Sequence, residues 1–163
     1  MEFEIDVSGE DIFNRDYAIC IADRNNIVRG YKFDEKTIQI LRSRHGKGVY
    51  RYGLSHQEKA YLKIRIYSVI IYYLFKDILD KISNKEVNIK ICKDFQGHEK
   101  DITSNLLYLL RDKLRLKISI RYSRLSDDSP AHKYALIMRQ DKLDKMQGYV
   151  KINLEEIEKF LRK

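Results

Sequence analysis

The first 33 residues contain three short apolar segments whose connections are too short for a parallel crossover. Residues 2–8 (EFEIDVS) alternate between apolar and polar side chains, which is the period of a strand with one buried face. Residues 17–22 (YAICIA) are almost wholly apolar and predict a central strand. Residues 24–26 (RNN) predict a hairpin turn, because Asn tolerates positive φ, and residues 27–33 predict a third strand. The chain therefore begins with a predicted antiparallel meander.

Helical and strand patterns alternate in the rest of the chain. Ser55 and Glu58 form a capping-box pattern ahead of the longest helical pattern, and Pro130 takes the favoured first-turn position of a later one. The predicted elements are a helix from about 35, a helix over about 55–82, a strand over 87–92, a helix over 101–116, a strand over 118–122, a helix over about 130–146 and a short helix from 154.

This order of elements predicts one α/β domain over residues 1–163, a size that suits a single domain. The long helix between the first and fourth strands makes those two strands parallel if they share a sheet. We therefore expect a mixed five-stranded sheet in the order 3-2-1-4-5, with helices on its faces. We also expect a mobile basic loop at about 42–57 and a C-terminal extension at about 148–163.

Acidic residues follow the strands that border the point where the strand order switches, which is where ligands bind in open α/β sheets. Asp6 lies near the end of the first strand, Asp94 follows the fourth, and Asp127 and Asp128 follow the fifth. Clustered carboxylates repel one another unless a cation lies between them, and Mg²⁺ and Mn²⁺ prefer such oxygens. We predict a Mg²⁺ or Mn²⁺ site there, with Asp128 slightly favoured over Asp127. The alternative is that Asp6 is a solvent-facing strand residue, Asp94 a turn residue, and Asp127 and Asp128 helix caps.

Two histidines and one glutamate lie close to these acids in the sequence. His98 and Glu99 follow Asp94, and His132 lies one helical turn after Asp128. Either histidine can protonate a leaving group or position water, and Glu99 can act as a further metal ligand. The alternative is that both histidines are ordinary loop or surface residues.

Three segments carry the acidic pattern: IDVSGED at 5–11, IKICKDF at 89–95 and SDDSPAHKYA at 126–135. Together with the element order over residues 2–146, they resemble the ribonuclease H-like superfamily, which includes ribonucleases H, Holliday-junction resolvases and DDE transposases. The resemblance implies a mixed sheet of this order and divalent-metal chemistry on nucleic-acid phosphodiesters.

By that resemblance, Asp6 is the first-strand acid, Asp94 the fourth-strand acid, and Asp127 or Asp128 the late acid. Some members of the superfamily carry another acid on the first long helix. Glu58 is the nearest candidate here, but it lies at the helix start, where a role as a helix cap is the alternative. The tail after residue 148 has no obvious counterpart in the superfamily.

The chain carries 32 Lys and Arg against 24 Asp and Glu, a net charge of +8 that attracts polyanions. Nucleic acid, either DNA or RNA, is the first candidate, followed by anionic membranes and acidic proteins. Cations bind phosphates, and aromatic rings stack on bases. The alternative is that these residues form a solvated basic loop that binds nothing. The predicted nucleic-acid contacts are Arg42, Arg44, Lys47, Tyr50, Arg51, Tyr52, Lys59, Lys63, Arg121 and Arg124.

Together these patterns predict a metal-dependent nuclease or phosphotransferase that acts on nucleic-acid phosphodiesters. The alternative is a non-catalytic nucleic-acid-binding or scaffold protein on the same fold. A third possibility, a nucleotide-binding relative of the ASKHA fold, lacks the glycine-rich phosphate loop that would support it.

The sequence also predicts a cytoplasmic protein with no membrane partner. The first 11 residues are acidic and alternating, unlike a signal peptide, and the apolar stretch 64–75 is too short to span a bilayer. Cys20 and Cys92 lie in strand patterns and predict buried reduced thiols. The spacing of Cys and His fits no structural zinc site.

Overall fold

The structure is a computed structural model that describes residues 1–93 and 97–163. Its centre is one five-stranded mixed sheet whose strands are β1 (Glu2–Ser8), β2 (Ala18–Ala22), β3 (Val28–Lys32), β4 (Glu86–Cys92) and β5 (Lys117–Ser123). The order is β3-β2-β1-β4-β5, with β1–β2 and β2–β3 antiparallel and β1–β4 and β4–β5 parallel. This confirms the α/β class and the strand order expected from the sequence.

Five α-helices connect and cover these strands within the described residues. They are α1 (Glu35–Gly46), α2 (His56–Asp77), α3 (Glu99–Leu106), α4 (Pro130–Gln140) and α5 (Leu154–Glu158). The helix α3 continues as a π-helix over Leu107–Lys113, and two single 3₁₀ turns, Leu79–Lys81 and Ser83–Lys85, lead from α2 into β4.

The two faces of the sheet are packed differently. On one face Phe3 meets Phe75 of α2 edge-to-face at 5.2 Å, and most of α2 is buried. On the other face α4 lies across β1, β2 and β3. The β2 side chains on that face are Ala18, Cys20 and Ala22, which are small enough to let the helix approach closely.

Gly30 shows how closely α4 approaches the sheet. A Cβ at this position would lie 2.1 Å from Met138 Sδ on α4 and 3.1 Å from the carbonyl oxygen of Ile19. A side chain here would therefore force the helix or the Met138 side chain to move. Glycine fits at position 30 because there is no room for a larger residue.

The predicted basic loop at 42–57 is wrong in its first part, since α1 continues to Gly46. Ile38, Leu41 and His45 form the buried stripe of this helix, and His45 Nε2 lies 2.8 Å from the carbonyl oxygen of Gly53. A polar residue at the last buried position hid the helical period from the sequence. Only residues 47–55 connect α1 to α2.

The helix α4 is shorter than the predicted 130–146 and ends at Gln140. Asp141 stops it, because its carboxylate accepts hydrogen bonds from the backbone N–H groups of Lys145 (3.1 Å) and Met146 (2.7 Å). Such a turn competes with helix continuation for the same donors.

The C-terminal residues 148–163 pack into the main core. Gly30 and Tyr149 form a parallel bridge at the β3 edge, and Ile157 and Leu161 are fully buried. Glu158 is buried with them and accepts hydrogen bonds from Tyr50 Oη (2.7 Å) and from the Arg44 guanidinium. The predicted extension is thus an integral part of the fold.

No helix among the described residues is long and apolar enough to cross a membrane.

Candidate functional site

Asp6 and His132 form a hydrogen-bonded contact between the central strand and α4. The strand alternation turns Asp6 toward the face that α4 covers, where it is 3% exposed. Its Oδ2 lies 2.9 Å from Nδ1 of His132, and its Oδ1 accepts a hydrogen bond from the backbone N–H of Val7 at 2.8 Å. The His132 side chain is 47% exposed, so the pair joins the interior to the surface.

The ionised form of Asp6 determines how the proton is placed on His132. A carboxylate only accepts hydrogen bonds, so the neutral ring must carry its proton on Nδ1 to bond with Asp6. That tautomer leaves Nε2 of His132 with a free lone pair. An imidazole oriented in this way can take a proton or bind a cation through Nε2.

Glu4 and Ser129 hold the start of α4 beside this pair. Glu4 shares the β1 face with Asp6 and is also buried. The Ser129 hydroxyl donates to Glu4 Oε1 at 2.9 Å and accepts from the backbone N–H of His132 at 3.4 Å. Ser129 is therefore an N-cap that is tied to the sheet, and it positions His132 over β1.

Cys20 lies beside Asp6, since these two residues are partners in the β1–β2 register. Burial raises the pKa of the Cys20 thiol, and the Asp6 charge raises it further. The thiol therefore stays protonated and packs beside Asp6 as a small apolar side chain.

Half of the sheet face that carries Asp6 is left uncovered. In the β1–β4–β5 register Glu2 lies beside Asn88, which lies beside Ser119. Together with Lys90 and Arg121 these residues line an open cleft of about 370 Å³. Asp6 is on the same face of β1, two positions beyond Glu4, which is the register partner of the cleft residue Lys90.

Asp127 and Asp128 do not join Asp6 in the structure. Both are exposed in the turn before α4, and Asp128 accepts a hydrogen bond from the Ser126 hydroxyl. That bond lowers the pKa of Asp128. Asp128 lines a separate cleft with Arg24 and Lys133, next to the turn between β2 and β3.

The structure describes only some of the site residues predicted after β4. Asp94 lies outside the described residues. His98 precedes α3 and its Nδ1 lies 3.6 Å from Asp101 Oδ2, while Glu99 begins α3 and its carbonyl accepts from Tyr122 Oη at 3.0 Å. Within 1–93 and 97–163, no three His, Cys, Asp or Glu side chains are placed to hold one metal ion.

The predicted basic residues are divided between two sides of the sheet. Arg121 pairs with Glu2 on the open cleft, whereas Arg44 and Arg51 contact the C-terminal tail at Glu158 and Phe160. The remaining cations are Lys63, which pairs with Asp11 at 2.7 Å, the half-buried Lys59, and Arg42, Lys47 and Arg124, which are exposed.

The two predicted tyrosines differ in exposure. Tyr50 is 1% exposed and its hydroxyl donates to Glu158, so its ring is not available to stack on a base. Tyr52 is half-buried beneath the Arg51 guanidinium, which lies 5.5 Å from its ring centroid. The predicted stacking role therefore fits Tyr52 and does not fit Tyr50.

Glu4 is a residue of this site that the sequence analysis does not predict. The strand period nevertheless places Glu4 and Asp6 on one face, and the N-cap motif at Ser129 begins the helix that covers both. These two signals together could have identified Glu4 as buried.

No family model, curated protein or solved structure matches this chain.

Proposed function

We propose that the chain is a metal-dependent hydrolase of nucleic-acid phosphodiesters on a ribonuclease H-like fold. The observation that carries the proposal is the Asp6–His132 contact on the central strand, at the point where the strand order switches. A buried carboxylate held against a half-exposed imidazole is an arrangement typical of catalytic sites.

The donor chemistry at this position suits a divalent cation of the Mg²⁺ or Mn²⁺ type. A carboxylate oxygen has two lone pairs, so Oδ2 of Asp6 can accept from His132 and still coordinate a cation. Asp6 would hold the ion, with Asp94 as a further ligand on sequence grounds, and water or phosphate oxygens would complete the shell.

A bound cation would polarise the phosphate and lower the pKa of its attacking water. Asp6 fixes the His132 tautomer, so that Nε2 can receive the proton of that water. Glu4 and Ser129 keep α4 at the distance from β1 that this geometry requires. Lys90 and Arg121 in the neighbouring open cleft supply positive charge for the substrate backbone.

A second candidate is a non-catalytic nucleic-acid-binding protein. The exposure of Asp127 and Asp128, away from Asp6, favours it, as does the small number of metal-ligating groups together in the described residues. In that case the Asp6–His132 contact serves only to fasten α4 to the sheet.

Binding of Mn²⁺ separates the two candidates, and electron paramagnetic resonance of free Mn²⁺ measures it directly. We expect stoichiometric binding to the wild-type chain and a loss of at least tenfold in affinity for Asp6→Asn, with a smaller effect of His132→Ala, whose imidazole acts on the proton and not on the ion. Asp127→Asn and His98→Ala are the matched controls and should bind as the wild type does. If Asp6→Asn also binds like the wild type, the cation site is elsewhere and the proposal fails.

A further inference from the structure

Four cations surround two aromatic rings where α2, the end of the π-helix and the C-terminal tail meet. Arg65 and Lys113 lie 5.3 and 5.4 Å from the ring centroid of Tyr108. Lys113 and Lys159 lie 5.8 and 5.1 Å from the ring centroid of Phe160. The fourth cation, Arg51, joins the group through the backbone carbonyl of Phe160, to which it donates at 3.2 Å. We call these six residues the cation–ring cluster.

Arg65 is the buried member of the cation–ring cluster, with 9% of its surface exposed. Its guanidinium donates to the carbonyl oxygen of Phe160 at 3.2 Å and to Asn105 Oδ1 at 2.7 Å. Both acceptors are neutral. A buried cation usually has an anionic partner, because neutral oxygens compensate only part of the lost hydration.

Among residues 1–93 and 97–163, no ion pair neutralises the cations of this cluster. The ion pairs of the described residues include no pair to Arg51, Arg65, Lys113 or Lys159. Burial lowers the pKa of Arg65, and the nearby charge of Arg51 acts in the same direction. Like charges held together around a buried guanidinium form a favourable place for an anion from outside.

The rings indicate which kind of anion fits. Tyr108 is 41% exposed, so part of its ring is accessible to a planar ligand. A nucleotide offers both a phosphate for the cations and a base for the ring, whereas an acidic peptide would use only the cations. Charge and ring exposure together favour a single-stranded nucleic acid.

The cation–ring cluster lies on the other side of the sheet from Asp6. It is built on α2, which packs against Phe3, whereas the Asp6 side chain faces α4. Binding of a nucleic-acid strand at the cluster therefore does not require the Asp6–His132 contact.

We infer that the cation–ring cluster is a separate binding site for single-stranded nucleic acid, in which the cations hold backbone phosphates and Tyr108 stacks on a base. This site goes beyond the proposed hydrolase activity and does not require it. It serves to anchor a nucleic-acid strand on the side of the sheet opposite to Asp6.

Fluorescence anisotropy with a labelled 12-nucleotide oligo(dT) or oligo(U) tests the inference, with EDTA present so that no metal-dependent step takes part. Lys113→Gln/Lys159→Gln should weaken binding about tenfold and reduce the slope of log Kd against log salt by about 1.4, or about 0.7 for each lost phosphate contact. The matched control, Lys36→Gln/Lys145→Gln, removes two exposed charges elsewhere and should change Kd less than threefold.

The Tyr108 variants test the stacking part of the site. We expect Tyr108→Ala to weaken binding about tenfold and Tyr108→Phe to leave it nearly unchanged, because the ring face is retained. Thermal melting confirms that each variant is folded. Asp6→Asn should bind as the wild type does, which separates this site from the hydrolase proposal.

Two results would overturn the inference. One is equal loss of affinity in the cluster variant and in the control variant, which would mean that only net charge matters. The other is displacement of the oligonucleotide by poly-glutamate at the same charge concentration as by unlabelled oligonucleotide. The site would then be a general polyanion surface without a role for Tyr108.

Discussion

Asp6 and His132 are 126 positions apart in the chain, yet Oδ2 of the first lies 2.9 Å from Nδ1 of the second. The contact exists because β1 presents its polar face to α4 and because Ser129 fastens the start of α4 to Glu4. Each of these features can be altered separately.

Ser129→Ala removes both the N-cap of α4 and the donor to buried Glu4. We expect the free energy of unfolding to fall by about 1–2 kcal/mol, since a lost N-cap costs about 1 kcal/mol and Glu4 loses a partner. Urea titration followed by circular dichroism measures the change. Ser126→Ala, at an exposed position just before the helix, is the control and should cost less than about 0.5 kcal/mol. Equal effects of the two substitutions would show that the bond from Ser129 to Glu4 adds no stability.

Gly30→Ala tests the close approach of α4 to the sheet. The added methyl group would collide with Met138 and press on the backbone of β2, so we expect a loss of about 1–3 kcal/mol. In a Met138→Ala background the same substitution should cost clearly less, because the space is then open. Gly46→Ala is the control: nothing lies within 4 Å of its Cβ, and a helical Ala should be neutral or slightly stabilising. An identical cost of Gly30→Ala in both backgrounds would contradict the packing described here.

Glu158→Gln tests the buried carboxylate that fastens the C-terminal tail. Burial raises the pKa of Glu158, but hydrogen bonds from Arg44 and Tyr50 outweigh it, so the pKa is lowered overall. A carboxyl group with a lowered pKa stabilises the fold above its unfolded-state value and loses that contribution as the pH falls through its folded-state value. We expect a loss of about 2 kcal/mol at pH 7.

The difference between Glu158→Gln and the wild type should shrink below about pH 4, where the wild-type carboxylate also becomes protonated. Thermal melts from pH 3 to pH 8 measure this dependence. Glu10→Gln, at an exposed loop position, should follow the wild type at every pH. A difference that stays constant down to pH 3 would contradict the role assigned to the ionised carboxylate.

Cys20 should not react with thiol reagents while the protein is folded. Its thiol is buried and its pKa is raised, so the reactive thiolate is scarce at pH 8. In a Cys92→Ser background we expect Ellman's reagent to modify Cys20 only after urea unfolds the chain. Rapid modification of the native protein would mean that β2 opens readily at this position.

The order of the elements could be predicted from the sequence because period and connection length are local features. The alternation in β1 and the long crossover helix were sufficient to give the sheet order 3-2-1-4-5. Asp6 could be placed on the face opposite to Phe3 and Ile5 for the same reason.

Long-range pairing could not be predicted in the same way. His45 is buried against the turn after α1, and Tyr50 is buried against the C-terminal tail. The sequence around each of these residues is too polar to indicate that burial. Asp128 fits an acidic cluster by position, but its carboxylate is exposed, accepts from the Ser126 hydroxyl and lines a separate cleft. The partner of Asp6 in the structure is His132, which the sequence predicts as a candidate acid or water-positioning residue but not as a partner of Asp6.

The central claim is that Asp6 supports metal-dependent cleavage of a nucleic-acid strand. Single-turnover cleavage of labelled single-stranded DNA and RNA, with Mn²⁺ and with EDTA, tests it most directly. The wild-type chain should cleave only with the metal, Asp6→Asn should be slower by about 10³-fold because the metal's contribution is lost, and Asp127→Asn should be unchanged. Cleavage by Asp6→Asn at the wild-type rate, or a wild-type chain that binds the strand but never cuts it, would contradict the claim.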